Sequence, residues 1–421
     1  MSQLPAATRR LTSLVLVRLA YVALVATISA GQPGWDLTAS YIAGGLVASG
    51  QFSAIYDQAD GLSARQTSSA WPAAARQAGV DPGLLTAYIQ TPLWAWIISP
   101  LAAHLSFTAF KILFAILSAA AVVALAGVSA DLWAPSLSGP AWQAGLLFGS
   151  LLTTPFVSAM ALGQVQAIFL CLAVAAAAAA LRGRPLLAGA LLAGAASVKI
   201  TPGWLALAWL AAGRHRAAAA FAGTMALLTA ASVLISGPAV FTAYVHTLVT
   251  LGHTATLSYN NDSLAAVLLG ARLTPDAAFR FAPIPMPIWA TALSLLALSA
   301  SAIYAGLADR KVGAGHQTGA IFALVSATAF SPLAWNHYFI VLLLPAMLFL
   351  AQPRHRLAWA ALTALIVALN MPPLGYAIGG SLGAVARRTP FWAAVLCLVV
   401  MGRQGKQSFF EKKDQKTFAP V

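Results

Sequence analysis

Long uncharged tracts constrain this chain more than any other feature. Counting only Asp, Glu, Lys and Arg, residues 132–181, 217–261 and 312–353 carry no charge at all. Each tract can supply one or more spans of about 20 residues, the length that crosses roughly 30 Å of hydrocarbon. A backbone inside a bilayer finds no water to bond, so only helices or a closed barrel can cross it. The tracts are unbroken runs of Leu, Ala and Val without apolar/polar alternation, which selects helices. With 60% hydrophobic and 8% charged residues, the expectation is an all-α polytopic membrane protein.

Spans are expected near 11–30, 92–104, 107–128, 142–160, 164–181, 186–212, 216–236, 286–308, 317–333, 336–351, 356–371 and 390–402, about twelve in all. The first is read as an uncleaved helix, since no convincing cleavage site follows it. The net charge of +14 does not point to nucleic acid, because its carriers sit in connectors: Arg9/Arg10, Arg182/Arg184, Arg214/Arg216, Arg310/Lys311, Arg354/Arg356 and the residues after Arg403. That is the pattern of cytoplasmic loops under the positive-inside bias. It places 31–88 and 237–284 on the extracytoplasmic side as structured loops. Residues 1–402 then form a single integral membrane domain, and 403–421 a polar, disordered cytoplasmic tail. One conflict follows: strict counting puts Arg182/Arg184 outside. A re-entrant or half-length pair would repair it, at 142–160, interrupted by "TTPF", or at 186–212, interrupted by "VKITPG". Arg387/Arg388 either face outward or mark one further turn of the chain.

Cys171 and Cys397 both lie in apolar runs and support neither a metal cluster nor a disulfide framework. No phosphate-binding glycine loop, metalloprotease helix or nucleophile elbow stands in a convincing context. Asp57 and Asp60 fit a capped or solvated turn, and nothing demands a metal. Function is therefore sought among the few polar groups near the outer edge. Asp36, one of only ten acidic residues, follows the first span at the start of a surface helix. It is either an N-cap or a functional acid. Lys199, beside the Thr201-Pro202 break, is either snorkelling or paired and facing a cavity. "SYNNDSLAAVL" (258–268) and "SPLAWNHYF" (331–339) complete the inventory, with Trp335, Asn336 and His337 at a junction of spans. His337 is otherwise a packed helix-end residue. His246 and His253 share a helix face at a spacing common by chance.

Taken in order, "GWDLTASYIAGGLVASGQFSAIYD", "YIQTPLWAWIISPLA", "GQVQAIFL", "KITPGWLALAWLAAGRHRAA", "NNDSLAAVL" and "SPLAWNHYFIVLLLP" resemble the landmarks of the bacterial family 87 glycosyltransferases. The resemblance covers most of residues 30–350. It implies a GT-C-type bundle in the bacterial inner membrane, with an extracytoplasmic site. There a polyprenyl-phosphate sugar, mannose above others, is transferred to a glycolipid or glycan acceptor. The family's catalytic aspartate maps onto Asp36, its Lys-x-x-Pro element onto Lys199 to Pro202, and its Ser-Pro-x-Ser-Trp-x-His-His element onto Ser331 to Tyr338. Departures are Ala334 for Ser, Tyr338 for the second His, Gln90-Thr91-Pro92 for Tyr-Pro-Pro, and Asn261-Asp262-Ser263 for Asn-Gln-Ser.

Chemistry fits a chain so poor in acids. A glycosidase normally needs two carboxylates, one of them protonated, whereas a sugar on a lipid phosphate already carries its leaving group. Asp36 would then serve as general base for an inverting transfer, with Lys199 and His337 holding the donor phosphate. Gln164, Asn260, Asn261 and Asn336 would bond sugar or acceptor hydroxyls, beside Trp35, Tyr41 and Trp335. No cofactor is expected. The rival is a transporter or flippase of a lipid-linked sugar, which predicts inverted repeats and midplane binding groups; no repeats are evident. A structural subunit of an envelope-polysaccharide machine is a third reading.

Overall fold

The computed structural model of the protein describes residues 5–56, 70–258, 260–270, 282–312, 318–351 and 388–402. Its first apolar stretch is one helix, α1 (Ala6–Ala30), followed by α2 (Trp35–Ala48), α3 (Ala70–Gln77), α4 (Pro92–His104) and a second long helix, α5 (Phe107–Trp133). α5 runs antiparallel to α1. Gly34, just past the end of α1, touches Lys111 and Phe107, Arg18 approaches Gly127, and Arg10 Nη2 donates to Ser138 Oγ at 3.0 Å. The chain therefore leaves α1 and begins α5 at the same end of the bundle, and no described helix between them is long enough to cross alone. α4 packs along α2 instead: Ala102 and Ile98 press on the bare backbone of Gly44, and Tyr41 Oη donates to Leu105 O at 2.8 Å. The expected span at 92–104 is corrected accordingly. At 13 residues, α4 reaches only about 20 Å.

α6 (Pro140–Ser150) and α7 (Thr154–Leu162) come next, bent by 64° at the break between them. Pro155 lies in the first turn of α7, where it lacks the N–H that would continue α6. α8 (Gln166–Leu181) runs back, and α9 (Pro185–Val198) returns to stop at Lys199. A 3₁₀ turn, Thr201–Trp204, then leads into α10 (Leu205–Ala211). Arg214 Nη1 donates to Ala180 O at 2.7 Å, so residues 185–214 leave from and return to one end, a re-entrant hairpin with Lys199 at its tip. Two departures from the expected topology thus offset each other. Losing a span at 92–104 brings Arg182 and Arg184 to the end that holds Arg10, and folding 186–212 back keeps Arg214 and Arg216 there.

The rest comprises α11 (His215–Ser236), α12 (Pro238–Gly252), β1 (Thr254–Leu257), α13 (Leu264–Gly270), β2 (Ala282–Pro285), α14 (Ile288–Lys311) and α15 (Gly319–Ala329), then a 3₁₀ run, Asn336–Leu342, α16 (Leu343–Leu350) and α17 (Thr389–Gly402). β1 and β2 form an antiparallel ribbon, Thr254 opposite Pro285 and Leu257 opposite Ala282, which an all-helical expectation did not include. α14 ends at the arginine-rich end. A Cβ on its Gly306 would come within 2.1 Å of Ala208 O, and Asp309 Oδ1 accepts from Gly319 N at 2.8 Å.

The protein is an all-α membrane protein with this one short ribbon. Four described helices, α1, α5, α11 and α14, are long and apolar enough to cross a membrane alone, and α6–α7 makes a fifth if the bent pair is one span. The other apolar helices are shorter, at 10–17 residues, so the described residues do not show about twelve full spans. The expected span at 356–371, the tail at 403–421, Asp57, Asp60 and Arg387 fall outside them. Among the described residues the core has three parts. One runs through α1, α5, α8 and the segment from α15 to α16, a second, around Trp71, Tyr88 and Ile98, lies beneath α2 to α4, and a small third joins the ribbon to α13 and the start of α14.

Candidate active site

Two glycines with left-handed backbone bring the site's first two residues together. Gly34 (φ 68°) precedes α2, and Gly163 (φ 69°) ends α7. A Cβ on Gly163 would lie 2.9 Å from Leu37 Cβ and 3.2 Å from Gly34 Cα, and Gly34 N donates to Ala161 O at 3.1 Å. Only residues without a Cβ tolerate that approach. It lays the first turn of α2 on the α7–α8 turn, so that Asp36 faces Gln164. Asp36 is no N-cap: Gly34 holds that position, without any side-chain cap bond.

Gln164 Nε2 donates to Asp36 Oδ2, while Gln164 Oε1 accepts from Lys199 Nζ at 3.2 Å. One neutral amide therefore stands between carboxylate and ammonium. The Lys199 ammonium also sits 4.0 Å from the centre of the Tyr338 ring. Behind it lies His337, 1% exposed, edge-on to Tyr338 at 4.8 Å, with neither ring nitrogen hydrogen-bonded among the described residues. Burial pushes the Asp36 carboxyl above its ordinary value, against the Gln164 hydrogen bond and the Lys199 charge. A carboxylate so placed is a stronger proton acceptor than one in water.

Next to this cluster opens a groove between α1, α5 and α7, walled by Val25, Phe114, Phe156 and Ile340 and edged by Lys111 and Gln164. Lys111 Nζ donates to Gln32 O at 2.5 Å. Among the described residues no three His, Cys, Asp or Glu side chains converge.

The remaining expected residues fall into three places. Asn260, Asn261, Trp335 and Asn336 form a seam at the same end of the bundle. Asp262 N donates to Ala334 O and Asn336 N to Asn260 O, both at 2.7 Å, and Asn261 bridges to Trp335. The Asn261 side chain is wholly engaged, giving Nδ2 to Thr256 O at 2.6 Å and taking Ser263 N at 3.1 Å and Ala334 N at 3.3 Å. The Asn260 carbonyl Oδ1 takes the Ser258 hydroxyl at 2.6 Å. Tyr41 lies in the second core against Phe107 and Phe110, away from the cluster. Trp35 is on the surface, 46% exposed.

Sequence reasoning passed over Tyr338, Asp262 and Arg388 as site residues. Tyr338 was visible only as a departure from a His-His pair. Arg388 Nη1 donates to Ser258 O at 2.6 Å and to Asn261 O. Asp262, fully buried, accepts from Asn336 Nδ2 at 3.2 Å. No local pattern announces a partner more than 120 residues away.

An acid, a lysine and a histidine thus gather beside an apolar groove in a helical membrane protein. Residues 88–335 match the model of glycosyltransferase family 87, and the chain belongs to that family. The matched stretch holds Gln164, Lys199, Asn260, Asn261 and Trp335, while Asp36 precedes it and Asn336 and His337 follow it directly. No curated protein matches the chain.

Proposed function

We propose that the protein transfers a sugar, mannose above others, from a polyprenyl-phosphate donor to a hydroxyl of a glycolipid or glycan. Asp36 takes the proton from the acceptor hydroxyl as its oxygen attacks the anomeric carbon. The bond from that carbon to the phosphate oxygen breaks on the opposite face, inverting the centre, and the electron pair leaves with the lipid phosphate. Lys199 meets the charge that builds there as a cation acting more strongly than in water, and His337 offers the lipid phosphate a neutral ring N–H. The prenyl chain lies in the groove between α1, α5 and α7.

The observation that carries this reading is the convergence of Asp36 and Lys199, from distant parts of the chain, on Gln164, with His337 near enough to feel the Lys199 charge. Sidedness follows from charge. With the arginine-rich connectors at one end and the site at the other, the positive-inside bias supports a site on the extracytoplasmic face, here read as that of a bacterial inner membrane. Nucleotide sugars are absent from that side, which favours a lipid-borne donor.

The test is transfer from radiolabelled polyprenyl-phosphate mannose to a glycolipid acceptor by the purified protein, beside Asp36→Asn. Inverted product from the wild type and about 10²-fold less or lower from the variant is expected. Movement of the donor across liposomes without covalent product would overturn the reading in favour of a carrier.

A further inference from the structure

We infer that Gln164 and Tyr338 are positioning residues that keep Asp36 and Lys199 from pairing, so that both charges stay available to substrate. The inference rests on Asp36 as the base and adds what keeps it competent.

An exposed carboxylate and an ammonium placed side by side without a spacer would form an ion pair, and a base already bonded to a cation is a poor base. Here no ion pair joins Lys199 to a described carboxylate. Its ammonium is held by two neutral groups, the Gln164 carbonyl at 3.2 Å and the Tyr338 ring face at 4.0 Å. A ring face holds a cation through its quadrupole without neutralising it. The other end of the Gln164 amide bonds Asp36, which uses its donor on the carboxylate and its acceptor on the lysine in the one orientation that suits both. Exchange of the two sites would put like dipoles against both charges. Gln164 is itself fixed, because its backbone N donates to Ala159 O at 2.8 Å at the close of α7. The charged and titratable groups around Asp36 are Lys199 at the hairpin tip, His337 and Tyr338 on the 3₁₀ run and Lys111 on α5. Of the cations, Lys111 is anchored to Gln32 O, which leaves Lys199 as the one able to collapse onto Asp36.

The experiment is the pH dependence of kcat for the purified enzyme and four variants. Gln164→Ala and Tyr338→Leu each release Lys199, so the acid limb should move down by about one pH unit or more, with kcat falling at neutral pH. Tyr338→Phe keeps the ring and should leave the limb in place. Gln164→Ala combined with Lys199→Met has no cation to collapse and should return the limb to or above its wild-type position. A purely structural role would lower kcat without moving the limb, and that result overturns the inference. So does a Tyr338→Phe limb displaced as far as that of Tyr338→Leu. If Asp36→Asn retains wild-type rate, the base assignment itself fails. If Asp36 is required and the limb stays fixed in all variants, only the spacer role fails.

Discussion

Two aspartates stand at the same end of this molecule, Asp262 fully and Asp36 partly buried, and their surroundings differ in kind. Asp36 meets a side-chain amide and, beyond it, a lysine held by neutral groups. Asp262 lies within a seam of backbone bonds, taking Asn336 Nδ2, with the Arg388 charge close enough to oppose its burial. Arg388 in turn grips the Ser258 and Asn261 carbonyls. The first arrangement leaves a carboxylate able to exchange partners. The second spends its polar groups on fixing chain segments 130 residues apart. Burial raises both acids, so burial alone does not mark a reactive one; what marks it is whether the surrounding bonds can be given up to a substrate.

Asp36→Asn should break that comparison most sharply, with transfer falling by about 10² to 10⁴ while thermal stability hardly changes. As the proposed base, Asp36 must be ionised to accept a proton. Because its value is raised, activity is complete at high pH and declines as pH falls, on a limb above the ordinary carboxylate range. A limb at or below that range would show an Asp36 already paired with a cation.

Arg388→Met should do the reverse. Removing two charge-assisted bonds to buried carbonyls costs roughly 3–5 kcal/mol, read as a large fall in melting temperature, with activity of the surviving fold reduced less than by Asp36→Asn. Asp262 supplies a pH signature for the same seam. Its folded value is raised from 3.8 to about 7, chiefly by burial, against the Arg388 charge and the Asn336 hydrogen bond. Stability from that shift is complete below the ordinary carboxylate range and is lost as pH rises through about 7. Asp262→Asn should flatten the melting profile over that window. A profile unchanged by the substitution would place Asp262 in contact with solvent.

What the sequence revealed and what it hid divide along the same line. Asp36, Lys199 and His337 stand out in the sequence as unusual residues in apolar surroundings, and the family was legible from ordered motifs. The path of the chain was not. "TPLWAWIISPLA" has the hydropathy of a span, yet Gly44 lets α4 lie on α2, and hydropathy carries no information about what an apolar helix lies against. "VKITPG" marked a break at Lys199, but whether the chain continued or turned back depended on Arg214 reaching Ala180 O. Gln164 was expected to touch sugar. Its place between two charges follows from the packing of Gly34 on Gly163, which no local pattern encodes.

That glycine contact offers a smaller, more diagnostic perturbation. Gly163→Ala introduces a Cβ at 2.9 Å from Leu37 Cβ on a backbone with φ 69°, costing about 1–3 kcal/mol. Because Gln164 is the next residue, kcat should fall along with melting temperature, whereas changes in the Asp262 seam should lower stability first. Equal and proportionate loss of both in the two cases would erase the distinction between the regions.

Tyr41 sets the lower bound. It stands five residues beyond Asp36 on the same helix, 5% exposed, with its hydroxyl given to Leu105 O at 2.8 Å and its ring against Phe107 and Phe110. Tyr41→Phe removes one hydrogen bond and keeps the ring, so a loss of about 1 kcal/mol is expected, with KM for both substrates and kcat unchanged. The bond ties α2 to the end of α4 rather than to anything at the Asp36 cluster. A rise in acceptor KM would mean that the hydroxyl leaves Leu105 for a substrate, and the reactive region would then extend along α2 past its first turn.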